Sequence, residues 1–186
     1  SDPHCLFTMG LQSRDHISIE MEKADIVITV GFDMVEYHPS LWNKGNKKKI
    51  IHIDFLPYEV DENYFVEVDI HADIAASLWE LNEYFKDKPS IVDPSSYAEI
   101  RSEMEKDFAQ FKDDKAHPLI KPQKVLWDTR EVMGSRDILL SDVGAHKMWI
   151  ARYYQGDEPN TCLISNGFCT MGFALPGAIA AKMIYP

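Results

Sequence analysis

The chain has 186 residues, of which 45% are hydrophobic and 26% charged, and it carries a formal net charge of −11. This length is sufficient for one large or two small domains, and the acidic balance argues against a nucleic-acid partner, which would require a basic surface. No run approaches the roughly 20 apolar residues of a membrane-spanning helix. Three widely spaced cysteines (Cys5, Cys162 and Cys169) indicate a reducing compartment. We therefore expect a cytoplasmic protein that binds neither nucleic acid nor membranes.

The first part of the chain contains three apolar runs that predict parallel strands. These runs are ADIVITVG (24–31), KIIHIDF (49–55) and EVDI (67–70). Apolar runs without strict alternation are typical of strands that are covered on both faces. After them, Ala72–Phe85 has apolar residues at intervals of three or four and predicts an amphipathic helix. We interpret residues 1–87 as the later part of a doubly wound α/β domain.

The segment 86–96 is rich in proline, serine and charge, which is typical of a linker. A helix is predicted over Ser96–Lys112, so residues 88–121 are interpreted as a linker with one helix. Further elements are predicted in the order helix, strand, helix and strand, over 123–132, 137–144, 145–154 and 161–164, and the stretch 165–182 opens with a glycine-containing turn and continues as a helix. Residues 122–186 thus form a second unit. The predicted fold class is α/β, with two incomplete doubly wound parallel-sheet units.

Two glycine-containing turns, SDVGAH (141–146) and SNGFCTMG (165–172), each follow a predicted strand and precede a predicted helix. Both turns should lie at the carboxyl edge of one sheet, where open α/β sheets bind ligands. The backbone N–H groups of the two helix starts could hold a phosphate or diphosphate. His146 could add a donor, and Met171 could support a flat ring. From the pattern alone, a surface histidine and a core methionine are the alternatives.

These segments resemble a known enzyme family. SDVGAHKMWIARYY followed by LISNGFCTMGFALPGAIAAK resembles the diphosphate-binding domain of thiamine-diphosphate enzymes, and in particular of acetolactate synthases. ADIVITVGFDMVEYHPSLWN, KKIIHIDFLPYEVDENY and VEVDIHADIAASLWELN resemble the central domain of the same enzymes. The flavin-binding type typically has an arginine soon after the glycine of the first of these segments, where this chain has Phe32 and Asp33. The resemblance is therefore to the catabolic, flavin-independent type, which implies that FAD is absent.

The resemblance implies an activity, cofactors and partners. Enzymes of this family decarboxylate pyruvate on thiamine diphosphate and add the product to a second 2-oxo acid, which gives 2-acetolactate when that acid is pyruvate. It implies thiamine diphosphate and Mg²⁺ as cofactors, pyruvate as substrate, and a homodimer or homotetramer for the complete enzyme. Cofactor contacts are implied for the first turn at Gly144, Ala145 and His146, and for the second at Gly167, Thr170, Met171 and Gly172.

Within this set, the resemblance gives Met171 the role of an apolar wedge between the two cofactor rings. The backbone of Met171–Gly172 is expected to meet the aminopyrimidine ring. Cys169 stands where a glycine or glutamine is expected. The alternatives to an acetolactate synthase are a pyruvate oxidase, a 2-oxo acid decarboxylase, and a non-catalytic nucleotide-binding or scaffold module.

The resemblance also implies that the chain is an internal segment without catalytic residues or metal ligands of its own. The catalytic glutamate of the family belongs to a preceding pyrimidine-binding domain, and the Mg²⁺-binding Gly-Asp-Gly…Asn motif should follow Pro186. We predict that these 186 residues alone have no synthase activity and bind thiamine diphosphate weakly or not at all. Acetolactate formation by the purified chain, or micromolar Mg²⁺-dependent binding in calorimetry, would contradict this prediction.

Overall fold

The computed structural model describes residues 4–9, 16–35, 37–89, 95–114 and 119–186, and it shows an α/β protein with two parallel sheets. The chain divides into two compact units, Ser13–Asp93 and Pro94–Pro186, and the second unit also includes the first twelve residues. The fold class predicted from the sequence is confirmed. The domain division at residues 87 and 121 stays a prediction.

The first unit is built on a three-stranded parallel sheet with strand order β1-β2-β3. Its elements are α1 (His16–Lys23), β1 (Ile26–Val30), β2 (Lys49–Asp54), β3 (Val66–His71) and α2 (Ile74–Phe85). All three strands lie where apolar runs predict them. The apolar pattern did not predict α1 or the 3₁₀ turn Pro39–Leu41 that lies between β1 and β2.

The centre of the first unit combines apolar packing with one polar cluster. Ile50 and Ile53 of β2 are fully buried. Beside them, the Tyr64 hydroxyl lies 2.6 Å from Thr29 Oγ1 and 2.9 Å from His52 Nδ1. Burial raises the pKa of Tyr64 above its ordinary value. These polar groups are thus buried with hydrogen-bond partners, which avoids the cost of unpaired polar atoms in a core.

One face of β1 remains uncovered. Val27 and Thr29 point into the core, whereas Ile26, Ile28 and Val30 are 41–56% exposed. The sequence predicts a strand that is covered on both faces, and this expectation is wrong for β1 in this structure, because no described residue covers its outer face. The helix α2 forms as predicted, yet none of its residues is buried.

The second unit contains a β-α-β unit. Its elements are α3 (Ser95–Ala109), α4 (Pro122–Val132), β4 (Leu139–Ser141), α5 (Ala145–Tyr153), β5 (Cys162–Ile164) and α6 (Ala174–Ile184). The strands β4 and β5 pair in parallel, with Leu139 opposite Cys162 and Ser141 opposite Ile164. Because α5 connects two parallel strands, both strands end at the same edge of the sheet.

The core of this unit is formed by side chains from three helices and the segment after α5. Its fully buried members are Phe108, Leu126, Ile150 and Tyr154. The centroid of the Phe108 ring also lies 4.8 Å from the centroid of the Trp127 ring, in an edge-on arrangement. Along α3, the apolar stripe predicted from the sequence is buried at Ile100, Met104 and Phe108.

Candidate functional site

The two turns predicted from the sequence meet at the carboxyl ends of β4 and β5. The strand β4 ends at Ser141 and is followed by the turn 142–144, while β5 ends at Ile164 and is followed by the loop 165–173. Because the strands are parallel and paired, both segments leave the sheet at one edge. This is the position at which open α/β sheets bind ligands.

Asp142 connects these two segments directly. Its Oδ1 accepts the backbone N–H of Val143 at 2.8 Å and that of Gly172 at 2.9 Å. Its Oδ2 accepts the backbone N–H of Ala174, the first residue of α6, at 3.1 Å. The pKa of the Asp142 carboxyl lies below its ordinary value, because the N–H of Val143 donates to it, followed by those of Ala174 and Gly172. The group is therefore ionised at neutral pH.

Gly144 begins α5 in a conformation that only glycine adopts readily. Its φ is +151°, and no side chain caps the helix at this residue. The His146 imidazole folds over Gly144, so that a Cβ built there would lie 2.9 Å from Cε1 of the ring. Gly144, Ala145 and His146 are all solvent-exposed. The first N–H groups of α5 thus have no side-chain cap, as an anion-binding helix start requires.

The second turn is exposed and held to α5 by a side-chain contact. Met171 is 80% exposed, and a Cβ added at Gly167 or Gly172 would meet nothing within 4 Å. Cys169 has a φ of +47°, a region that favours glycine, which is one of the two residues that the resemblance implies there. The Lys147 ammonium of α5 lies 3.4 Å from Cys169 Sγ.

The start of α6 differs from the sequence-based expectation. The sequence suggests that both helix starts could present N–H groups to a phosphate. In the structure, the N–H groups of Gly172 and Ala174 donate to Asp142, so these two groups are not available to a phosphate, whereas the anion site at the start of α5 stays a prediction. The helix itself begins at Ala174, so Thr170, Met171 and Gly172 lie in the preceding loop, where the sequence predicts the turn 165–172.

The small residues of α6 allow this helix to approach the sheet closely. A Cβ built at Gly177 would lie 2.6 Å from Cδ2 of Leu140 in β4. Such a separation is too short for two carbon atoms, so α6 can take this position because residue 177 has no side chain. The missing side chain at Gly177 therefore lets α6 pack directly on Leu140 of β4.

Sequence reasoning missed Asp142 and Lys147 as members of this site. Both lie inside the motif SDVGAHK, and a polar residue directly after a parallel strand is a signal that could have drawn attention to Asp142. Its bonds reach residues 30 and 32 positions away, which no local pattern predicts. Lys147 is one helical residue beyond the turn, and its contact with Cys169 depends on the pairing of β4 with β5.

The residues present fit an anionic cofactor with a flat apolar part. The uncapped start of α5 supplies the donors that suit a diphosphate, and the exposed Met171 supplies an apolar surface nearby. In the described parts of the chain, no group of three or more His, Cys, Asp or Glu side chains is placed to hold a metal ion. Over the same residues, no helix has both the length and the apolar character needed to cross a membrane.

Phe32 and Asp33, which stand where the flavin-binding type has an arginine, both contact other residues of the first unit. The centroid of the Phe32 ring lies 5.6 Å from that of the Tyr64 ring and 5.9 Å from that of the Trp42 ring. The Asp33 carboxylate accepts the backbone N–H of Val35 at 2.8 Å. Neither residue can supply the cationic contact that an arginine would make there, so the absence of FAD remains the prediction.

Comparison with known proteins found a family match in each half of the chain. Residues 1–81 match the family described as thiamine pyrophosphate enzyme, central domain, and residues 142–186 match thiamine pyrophosphate enzyme, C-terminal TPP binding domain. The chain is 32% identical to an acetolactate synthase of Bacillus subtilis (strain 168) over 184 residues, which cover 96% of this chain and 31% of that protein.

Two further relatives are also named acetolactate synthases. A catabolic acetolactate synthase of Raoultella terrigena is 32% identical over 89% of this chain and 30% of its own length. The chloroplastic acetolactate synthase 1 of Oryza sativa subsp. japonica is 28% identical over 100% of this chain and 29% of its own length. The chain thus spans about 30% of the relatives that it matches. It belongs to the thiamine pyrophosphate enzyme family, with sequence from the central domain and from the C-terminal TPP-binding domain.

Proposed function

We propose that this chain is part of an acetolactate synthase that uses thiamine diphosphate to condense two pyruvate molecules to 2-acetolactate, with loss of CO₂. The observation that carries the proposal is the pair of turns joined at the carboxyl edge of β4 and β5, which offers one uncapped helix start beside an exposed methionine. The similarity to two acetolactate synthases over 96% and 89% of the chain supports this choice of reaction.

In this proposal the start of α5 holds the diphosphate. The backbone N–H groups of Gly144, Ala145 and His146 lie at the positive end of the helix dipole, where a phosphate is stabilised. The His146 imidazole, folded over Gly144, adds a donor at the same place. When bound, thiamine diphosphate supplies the electron sink for decarboxylation, while the protein supplies position and orientation.

The second turn holds the rings in this proposal. Met171 presents an exposed apolar side chain that supports the cofactor between its two rings, and Gly167, Thr170 and Gly172 shape the loop around it. A base within the same molecule removes a proton faster when it is held in attack geometry. A side chain that supports the cofactor between its two rings would hold them in such a geometry. We further propose Mg²⁺ as the second cofactor, no FAD, and a homodimer or homotetramer.

The test is product analysis of the complete protein that contains this chain. With pyruvate, thiamine diphosphate and Mg²⁺, we expect 2-acetolactate, detected as acetoin after acid treatment, and no turnover when either cofactor is omitted. Acetaldehyde as the main product would indicate a 2-oxo acid decarboxylase. In a parallel assay with added phosphate, FAD and O₂, acetyl phosphate with hydrogen peroxide would indicate a pyruvate oxidase. Either product, or a protein that neither binds the cofactor nor turns over pyruvate, would contradict the proposal.

A further inference from the structure

The Asp142 carboxylate joins the two segments of the proposed cofactor site by hydrogen bonds. Its single carboxylate accepts three backbone N–H groups, from the turn after β4, from the loop that carries Met171, and from the first residue of α6. Gly172 and Ala174 lie 30 and 32 positions from Asp142 in the chain. One side chain therefore holds both halves of the proposed site together.

This arrangement gives the two helix starts different properties. At α6, the ionised Asp142 carboxylate already accepts the N–H groups of Gly172 and Ala174. At α5, the N-cap residue Gly144 has no side chain, and no side chain in the described part of the protein accepts an N–H group of Ala145 or His146. Asp142 thus occupies N–H groups at the start of α6 and leaves those of α5 open to a phosphate.

The anchor at Gly172 also bears on Met171. Gly172 has a φ of +87° and no side chain, so the backbone there has few restraints of its own. Met171 is exposed and immediately precedes this residue. Fixing the Gly172 N–H against the turn after β4 therefore limits the directions in which the Met171 side chain can point.

We propose that Asp142 is a positioning residue for thiamine diphosphate: it anchors the Met171–Gly172 loop and closes the start of α6 to the diphosphate, so that the anion binds at α5. The proposal rests on the proposed function, because it concerns the same cofactor site. It assigns Asp142 no contact with the reacting atoms. Its effect on the cofactor passes through the backbone of Gly172 and Ala174.

The first experiment measures the Kd for thiamine diphosphate by calorimetry, with Mg²⁺, in the complete protein. Asp142→Ala should raise the Kd at least about tenfold, because three charge-assisted hydrogen bonds are lost. Asp142→Asn keeps one acceptor oxygen without the charge and should raise the Kd about fivefold. The asparagine variant keeps the test valid if the alanine variant does not fold.

The matched control is Asp137→Ala. Asp137 lies in the same unit, and its Oδ2 accepts the backbone N–H of Gly134 at 2.7 Å, so its removal also frees a turn from a carboxylate. This variant should lose thermal stability but keep the Kd of the wild type. A Kd for Asp142→Ala or Asp142→Asn within twofold of the wild type would overturn the positioning role.

The second experiment uses inorganic phosphate and needs no cofactor. In Asp142→Ala, the freed N–H groups of Gly172 and Ala174 should become an anion site at the start of α6. Adding phosphate should then slow amide hydrogen exchange of segment 171–175 in Asp142→Ala but not in the wild type. Unchanged exchange in the variant would overturn the claim that the carboxylate closes α6.

The two proposals fail in different ways. A wild-type protein that does not bind thiamine diphosphate overturns the proposed function, and with it the role of Asp142 toward that cofactor. A wild-type protein that binds the cofactor, together with an Asp142→Ala variant that binds it equally well, overturns only the role of Asp142.

Discussion

Replacing Phe108 with alanine is expected to lower the free energy of unfolding of the second unit by about 3–5 kcal/mol. The Phe108 side chain is only 6% exposed and lies in the core with Leu126, Ile150 and Tyr154. Its removal leaves a cavity among side chains of different helices, which cannot all move to fill it. Folded domains are stable by only about 5–15 kcal/mol, so this loss removes a large share of the total. Urea unfolding followed by circular dichroism measures it.

The matched control is Phe168→Ala in the same unit. Phe168 lies in the loop after β5, and its side chain is fully exposed, so the same chemical change should alter the free energy of unfolding by less than about 0.5 kcal/mol. A loss below about 1 kcal/mol for Phe108→Ala would show that α3 contributes little to this core.

Replacing Gly144 with alanine should damage both the local structure and the proposed cofactor site. The backbone φ of +151° costs a residue with a side chain about 1–3 kcal/mol. The new Cβ would also lie 2.9 Å from the His146 ring, which must move. Because Gly144 and His146 flank the start of α5, we expect the Kd for thiamine diphosphate in the complete protein to rise about tenfold to hundredfold.

Gly134→Ala provides the comparison for this prediction. A Cβ at residue 134 would lie 3.5 Å from Asp137 Oδ2, which is an ordinary contact, so both stability and cofactor affinity should stay near those of the wild type. Calorimetric titration of the two variants with thiamine diphosphate, at the same Mg²⁺ concentration, compares their Kd values. Wild-type affinity in Gly144→Ala would contradict the placement of the diphosphate at α5.

Local sequence patterns predict the strands and the location of the candidate site well. Apolar runs locate β1, β2 and β3, and the position of the glycine turns after two parallel strands locates the sheet edge. These features depend on neighbouring residues, which is why they can be predicted. The patterns also place the apolar stripe of α3, because its spacing matches one helical face.

Features that depend on distant residues could not be predicted in this way. The bonds of Asp142 to Gly172 and Ala174 exist only because β4 and β5 pair in parallel. The same bonds occupy N–H groups that the sequence alone suggests are free.

The exposed strip of β1 has a practical consequence for work with this chain alone. Ile26, Ile28 and Val30 form an apolar row along a strand at the edge of the described sheet, and such edges promote pairing between molecules. Concentrated samples of the 186-residue chain should therefore self-associate. Association stabilises the folded state by mass action, so the midpoint of unfolding should rise with protein concentration.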